Sequence, residues 1–426
     1  MTQRHLTAAL LSLIVTFVTA AEGLDRTETK LVAAARDGFA RTMSELEASV
    51  NIPSASENLA GVKRVAELYA PLFEEIGFET RWVELPESTG RAGHFVAEQE
   101  GTKGPRILFI GHLDTVLEGE EFRRDGNTAY GSGIADMKAG NIVIWAALKA
   151  LSDAGALKGR RIVVIFTGDE ESPGDPLEVV RHELIDLAKR SDVALGYEEA
   201  GDGSAVVGRR GIAVWRLEVD AETGHSSGIF SERLGSGAIF EASRILTAFH
   251  ETLMEANLTF NPSVVVGGTD VEFVADDNRG TALGKSNVVP RKVFVKGDLR
   301  FLTSEQYGSA RAKMAEIVSR NLPGTKASID FEEGYPSMAP TEGNRRLLAH
   351  YDAVSRDLGY GPVVEYDPGK RGAGDISFVA AYVDGLDGLG AFGTRSHAPG
   401  ESIDVEKLQM QIERTALLMH RLTSGR

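Results

Sequence analysis

An apolar run, Ile162-Val163-Val164-Ile165-Phe166, opens directly into Thr167-Gly168-Asp169-Glu170-Glu171-Ser172. A short continuous run of that kind reads as a strand buried on both faces, and such strands belong to parallel sheets covered on each side by helices. Three acids then arrive where the strand gives way to a loop. Burying like charges together costs on the order of several kcal/mol each unless something cationic lies beside them. A metal ion is one such partner. Taken alone, the triplet also reads as a solvated acidic turn.

The same strand-then-helix pattern recurs along the chain. Arg106-Ile107-Leu108-Phe109-Ile110-Gly111 and Val193-Ala194-Leu195 read as further central strands, and residues 141–151 as a buried helix. Two earlier stretches, one carrying Leu31, Ala35, Phe39, Met43 and Leu46 and one over 58–76, have helical spacing; Gly77 stops the second and Pro71 is placed to kink it. Residues 84–104 read as a hairpin with a loop. The fold class is therefore α/β, with a mixed, mostly parallel sheet.

The pattern changes near Arg210. A strand at 212–219 is followed by a helix carrying Ile239, Ala242, Leu246 and Phe249, by strands at 263–266 and 287–301 with a turn inside the second, by a helix at 304–320, and by a strand at 327–331. Strand-helix-strand-strand-helix-strand describes a small α+β, ferredoxin-like domain set into the larger one. The expected organisation is an export signal over 1–21, a catalytic domain over 22–209, an inserted lid or dimerisation domain over 210–333, and the rest of the catalytic domain over 334–426, closing with a helix at 405–422 capped by Asp404.

Composition narrows the function. The 426 residues are 42% hydrophobic, enough to bury a large core. Arg4 and His5, an apolar run through Val18, and the small residues Thr19, Ala20 and Ala21 form the signal pattern, which predicts a periplasmic or secreted protein. No later stretch is apolar enough to span a bilayer. With no cysteine, thiolate metal sites and a cysteine nucleophile are excluded, and an exported chain folds without disulfides. A net charge of -16 argues against nucleic acid as a partner.

Candidate ligands sit at strand ends and in adjoining loops. His112 and Asp114 lie in Gly111-His112-Leu113-Asp114-Thr115-Val116, where ligand sites of open α/β sheets gather. His112 suits a metal, with Asp114 orienting the imidazole; a strand-end histidine bonded to a loop is the alternative. Asp136, in Gly133-Ile134-Ala135-Asp136-Met137-Lys138, is placed either to bridge two cations or to cap the buried helix. Gly196-Tyr197-Glu198-Glu199-Ala200 ends another strand with acids, and Thr394-Arg395-Ser396-His397-Ala398-Pro399-Gly400-Glu401 supplies a late histidine. Histidines and carboxylates without thiolates suit zinc or a similar divalent ion.

As an ordered set these motifs resemble the M20 family of metallopeptidases, which includes glutamate carboxypeptidases, succinyl-diaminopimelate desuccinylases and acylamino-acid deacylases. The resemblance runs over nearly the whole chain after the signal. It implies two Zn2+ ions per subunit, with Co2+ or Mn2+ as substitutes, bridged by Asp136. His112 and Glu198 complete one ion, and Glu171 and His397 the other. It further implies Glu170 as general base, a cis peptide after Asp136, and a small peptide or N-acyl amino acid as substrate. In Thr223-Gly224-His225-Ser226-Ser227, His225 resembles a histidine that reaches a partner's active site in dimeric members, which implies a homodimer. Asn287 in Ser286-Asn287-Val288-Val289-Pro290 and Arg300 in Gly297-Asp298-Leu299-Arg300-Phe301 match substrate-binding elements; a structural ion pair is the other reading of Arg300. One departure bears on specificity. Glutamate carboxypeptidases of the family carry an Arg where this chain has Tyr335; Lys370 or Arg371 is the candidate substitute cation, while Asp375 reads as a supporting residue.

Overall fold

The computed structural model describes residues 23–199, 201–274 and 278–425. The expected export signal lies outside the described residues. Six strands form the central sheet, in the order Glu79–Val83, His94–Gln99, Arg160–Thr167, Lys103–His112, Val193–Gly196 and Gly385–Leu386. The last four run parallel, and the first two are antiparallel additions at one edge.

Side-chain alternation explains why the sheet is covered twice. Ile107, Phe109, Ile162, Val164 and Phe166 enter one core with the helices Leu59–Glu74, Ala139–Asp153 and Val405–Ser424. Leu108, Ile110, Val163 and Ile165 enter a second core with Leu184, Leu187, Ile376 and Val379 from short helices on the opposite face. Successive strand residues point to opposite faces, so a run apolar at every position needs a partner on both. All nine of these strand residues are at most 3% exposed.

The parallel register has a functional consequence. His112 pairs with Thr167, and Ile110 with Gly196. His112, the acid turn after Thr167 and the Tyr197-Glu198 segment therefore leave the sheet along one edge.

The segment between Arg210 and Gly334 builds a separate antiparallel sheet, ordered Thr259–Gly268, Lys292–Phe301, Gly211–Ala221 and Thr325–Glu333. The helices Ala238–Thr252 and Ser304–Ser319 cover one face, packing on Trp215, Leu217, Val219 and Val295. With its chain order, this is the expected ferredoxin-like α+β unit.

Several local expectations are corrected. The first predicted helix is two, Arg26–Asp37 and Phe39–Val50, broken at Gly38. The strand expected at 287–301 is confined to Lys292–Phe301, because Pro290 has no N–H for a ladder. An unforeseen hairpin, Asp270–Val274 with Arg279–Leu283, precedes it. On the helix Ala238–Thr252, Ile245 is buried and Ile239 is 45% exposed, so the apolar face is rotated from the expected one. The helix Glu342–Asp357, capped by Thr341, was not expected. Among the described residues, no helix is long and apolar enough to cross a membrane.

Phe166 is the hinge point of the larger core, with its ring 5.2 Å from Tyr69, 6.0 Å from Phe73 and 5.7 Å from Phe95. Phe166→Ala is expected to cost about 3–5 kcal/mol, read as a lowered denaturant midpoint by circular dichroism. An unchanged midpoint would contradict this packing.

Candidate metal centre

His112 is held from both sides. Its Nδ1 lies 2.9 Å from the carbonyl oxygen of Asp114. A carbonyl only accepts, so Nδ1 carries the hydrogen and Nε2 is the atom left to bind a cation. The His112 carbonyl accepts from Asn141 Nδ2 at 2.6 Å. Gly111 leaves room for that contact, since a Cβ there would sit 2.1 Å from Asn141 Oδ1. The Asp114 carboxylate is buried and accepts from Ser56 Oγ at 2.6 Å and from the backbone N–H groups of Glu170 at 3.0 Å and Glu171 at 3.1 Å. One aspartate thus ties the His112 loop to the acid turn.

Asp136 sits between the two histidines. Its Oδ1 lies 3.1 Å from His112 Nε2, and its Oδ2 lies 3.1 Å from His397 Nε2. The Asp136–Met137 peptide is cis, as the resemblance implied. The turn that presents Asp136 begins at Gly133, whose φ of 69° is left-handed and where a Cβ would meet Thr115 at 2.1 Å. A buried carboxylate, Glu401, holds this turn by accepting from the N–H groups of Gly133 at 2.8 Å, Ala135 at 2.7 Å and Asp136 at 3.0 Å. Glu401 follows His397 by one short loop, so the same carboxylate ties the Asp136 turn to the His397 loop.

Glu171 Oε2 lies 3.1 Å from His397 Nε2, while its Oε1 is buried with no hydrogen-bond partner. Glu198 Oε1 lies 3.7 Å from His112 Nε2 on the other side. The adjacent Glu199 turns away and accepts from Ser396 Oγ at 2.7 Å. His397 and Arg395 both adopt left-handed backbone angles, φ 62° and 64°, a conformation that ordinary residues avoid. The Ser396–Glu199 bond and a bond from Arg395 Nε to the Pro399 carbonyl at 2.8 Å hold that loop.

Below the carboxylates lie two buried cations that sequence reasoning missed. Arg181 contacts Asp169 at 2.6 Å and Asp375 at 2.8 Å. Arg209 pairs with Asp387, donates to the carbonyls of Gly372 and Ala373, and comes within 4.0 Å of Glu198. Neither arginine belongs to a motif, and a single arginine in a helix or loop gives no sign of burial. Asp375, read as a supporting residue, accepts from the Thr167 hydroxyl.

Charge balance is the governing feature. Burial and then Glu198 push Glu170 well above the ordinary glutamate range. Burial and the Asp136 carboxylate push Glu198 up to about 8, and burial also raises Glu171. Asp136 and Glu171 hold His397 up at about 10. Burial opposes charge on both His112 and Asp136, yet Asp114 and then Asp136 raise His112, and His112 and His397 together hold Asp136 low. Without metal, bound protons supply the positive charge this cluster needs. The donor set fits divalent cations in their place. His112, Asp136 and Glu171 offer ligand atoms all within 4.8 Å of one another, and so do His112, Glu170 and Glu198. The set is nitrogen and oxygen only, and one buried Glu171 oxygen lacks a partner.

The predicted residues of the inserted unit do not join this cluster within one chain. His225 is exposed, with Nδ1 2.8 Å from Ser227 Oγ. The Asn287 carbonyl accepts from Ser226 N–H at 2.9 Å, which places Asn287 beside His225. Arg300 stands on the helix-free face of its sheet, with Nε 3.1 Å from Asp298 Oδ2. The structural ion pair considered for Arg300 is thus present. Arg371 reaches the Glu199 carbonyl and packs its guanidinium 5.5 Å from the Tyr366 ring, and Lys370 is exposed.

The chain matches peptidase family M20/M25/M40 over residues 108–421. It is 26% identical over 438 residues to carboxypeptidase G2 of Pseudomonas sp. (strain RS-16), covering 99% of each chain. A succinyl-diaminopimelate desuccinylase of Bradyrhizobium sp. is 26% identical over 375 residues, 84% of this chain and 92% of the relative. Among solved structures, an aminopeptidase from Bacillus cereus ATCC 10987 superposes with TM-score 0.71 at 19% identity, covering 90% of this chain and 98% of that one. A dinuclear metal-binding M20 peptidase from Bacillus subtilis gives TM-score 0.64 at 16% identity, covering 92% and 100%. At such identities the two structures bear on fold alone.

Cations must displace the protons from this cluster, which fixes a sign. His397, raised to about 10, and Glu198, raised to about 8, both hold protons at neutral pH in the metal-free chain. Metal binding near pH 7 is therefore expected to release about one proton or more per chain, and affinity to strengthen as pH rises. Titration calorimetry in buffers of different ionisation enthalpy measures this; no proton release would contradict it.

Proposed function

The chain belongs to peptidase family M20/M25/M40, and on that premise we propose an exported, zinc-dependent amide hydrolase of the carboxypeptidase type, acting on a small peptide or N-acyl amino acid with a free carboxylate. The chain is a hydrolytic enzyme of a metallopeptidase family. The observation that carries the finer reading is the Asp136 carboxylate, with one oxygen 3.1 Å from each of two imidazoles.

In this reading Asp136, His112, Glu198, Glu171 and His397 would hold two Zn2+ ions, with Asp136 between the two imidazoles and Co2+ or Mn2+ as substitutes. Such a pair, when bound, supplies the positive charge that acidifies water and polarises the scissile carbonyl. Asp114 keeps the His112 tautomer through its carbonyl and the acid turn through its carboxylate. Glu170 is the general base. Burial and Glu198 raise its proton affinity in the metal-free chain, and bound cations would offset that rise and free the carboxylate to accept a proton. As water oxygen bonds to the carbonyl carbon, Glu170 accepts a water proton and then delivers it to the leaving nitrogen as the C–N bond breaks.

Carboxypeptidase chemistry is preferred because the relative matched over 99% of both chains is a carboxypeptidase. Recognition of the free carboxylate falls to Arg300 and Asn287. His225, exposed on the inserted unit, is supplied by a second copy in a homodimer and steadies the developing oxyanion. Export to the periplasm or beyond rests on the N-terminal pattern of Arg4, the apolar run through Val18 and the small residues that follow.

Glu170→Gln is expected to lower kcat roughly 100- to 10,000-fold while leaving metal content unchanged, measured by steady-state kinetics beside elemental analysis. Wild-type turnover in that variant would overturn the assignment. Dipeptides blocked at the N-terminus are expected to be cleaved and those amidated at the C-terminus to resist. The reverse preference points to an aminopeptidase.

A further inference from the structure

The chain enters the inserted unit through Arg209 and Arg210 and leaves it through Gly334 to Met338. These two linkers pair with each other. Arg209 N–H donates to the Met338 carbonyl at 2.9 Å and Met338 N–H to the Arg209 carbonyl at 3.0 Å. Ile212 N–H donates to the Tyr335 carbonyl at 2.9 Å, and Gly334 N–H to the Ile212 carbonyl at 3.1 Å. The linkers are thus a short two-stranded ribbon with defined register.

From the second linker Tyr335 reaches into the catalytic unit. Its hydroxyl lies 2.8 Å from the main-chain carbonyl of Glu170 and accepts from Arg181 Nη2 at 3.0 Å. The direction of the hydroxyl is forced. A guanidinium only donates, so the Tyr335 proton has the Glu170 carbonyl as its acceptor. Arg181 cannot turn away, being fully buried and gripped by Asp169 and Asp375. The ring is fixed as well, edge-on to Phe378 at 4.8 Å. Glu170 therefore has both main-chain polar groups clamped: its N–H by Asp114 at 3.0 Å, and its C=O by the linker.

We infer that Tyr335 is a positioning residue for Glu170, so that the linker carrying the inserted unit also sets the aim of the general base. This rests on the reading of Glu170 as base. It also gives Tyr335 a role toward the enzyme's own backbone in place of contact with substrate.

The test uses the metal-loaded full chain. Tyr335→Phe keeps the ring and removes only the hydroxyl. It is expected to lower kcat roughly 10- to 100-fold, as small misplacements of a catalytic group do, with KM and metal content unchanged. In the Glu170→Gln background the same change is expected to have less than about a twofold effect, because the group it positions is already disabled. Incorporating p-aminophenylalanine at 335 restores a donor at the ring's tip and is expected to recover most of the turnover. Wild-type kcat in Tyr335→Phe, or the same fold loss with and without Glu170, overturns the inference. So does failure of the p-amino side chain to rescue, which remains readable even if the phenylalanine variant folds poorly. Full activity of Glu170→Gln alone instead removes the general-base reading beneath it.

Discussion

Four carboxylates cannot share one poorly hydrated corner of a protein without positive charge among them. Asp136, Glu170, Glu171 and Glu198 crowd two imidazoles in this way, and the rest of the structure answers to that repulsion. In the metal-free chain, protons on His397 and Glu198 relieve it, which is why both titrate far above their ordinary values. Divalent cations relieve it better, because each neutralises two charges and accepts ligands from several directions at once. The buried arginines belong to the same account. Arg209 approaches Glu198, and Arg181 neutralises Asp169 and Asp375 beside the acid turn.

The fold supplies the convergence. Three adjacent parallel strands deliver His112, the Glu170–Glu171 turn and Glu198 along one edge, because parallel strands end together. Asp136 and His397 come from loops, which have no such register, and a carboxylate is used to pin them. Glu401 gathers three backbone N–H groups from the Asp136 turn while standing in the loop after His397. Asp114 does the same for the acid turn. Acids that orient backbone, Asp114 and Glu401, thus form one layer, and the acids that crowd the imidazoles form another, where one Glu171 oxygen is buried with no hydrogen-bond partner.

Much of this was legible in the sequence, for a physical reason. A strand buried on both faces is apolar at every position, so an acid or histidine at its end stands out, and His112, Glu171 and Glu198 were found that way. The ferredoxin-like unit was legible from the order of its strands and helices. What sequence did not reveal depends on tertiary contact. Arg181 and Arg209 look like surface arginines until the fold buries them. Glu401 was one acid in a turn-rich loop, and its three donors come from residues more than two hundred and sixty positions away. Tyr335 was noticed only for the charge it lacks, and its hydroxyl contact to Glu170 appears only once the linker is in place. The paired strands Asp270–Val274 and Arg279–Leu283 were missed because the alternating first strand is only five residues long and the second, Arg-Gly-Thr-Ala-Leu, is largely exposed and carries no alternating apolar face.

The central claim is that Asp136 serves two cations at once. Titrating metal-free protein with zinc, while recording both bound metal and hydrolysis, tests it most directly. The account predicts saturation of both near two equivalents per chain, and loss of both equivalents together in Asp136→Asn. A single equivalent giving full activity, or an Asp136→Asn variant that still binds two ions with wild-type affinity, would contradict it.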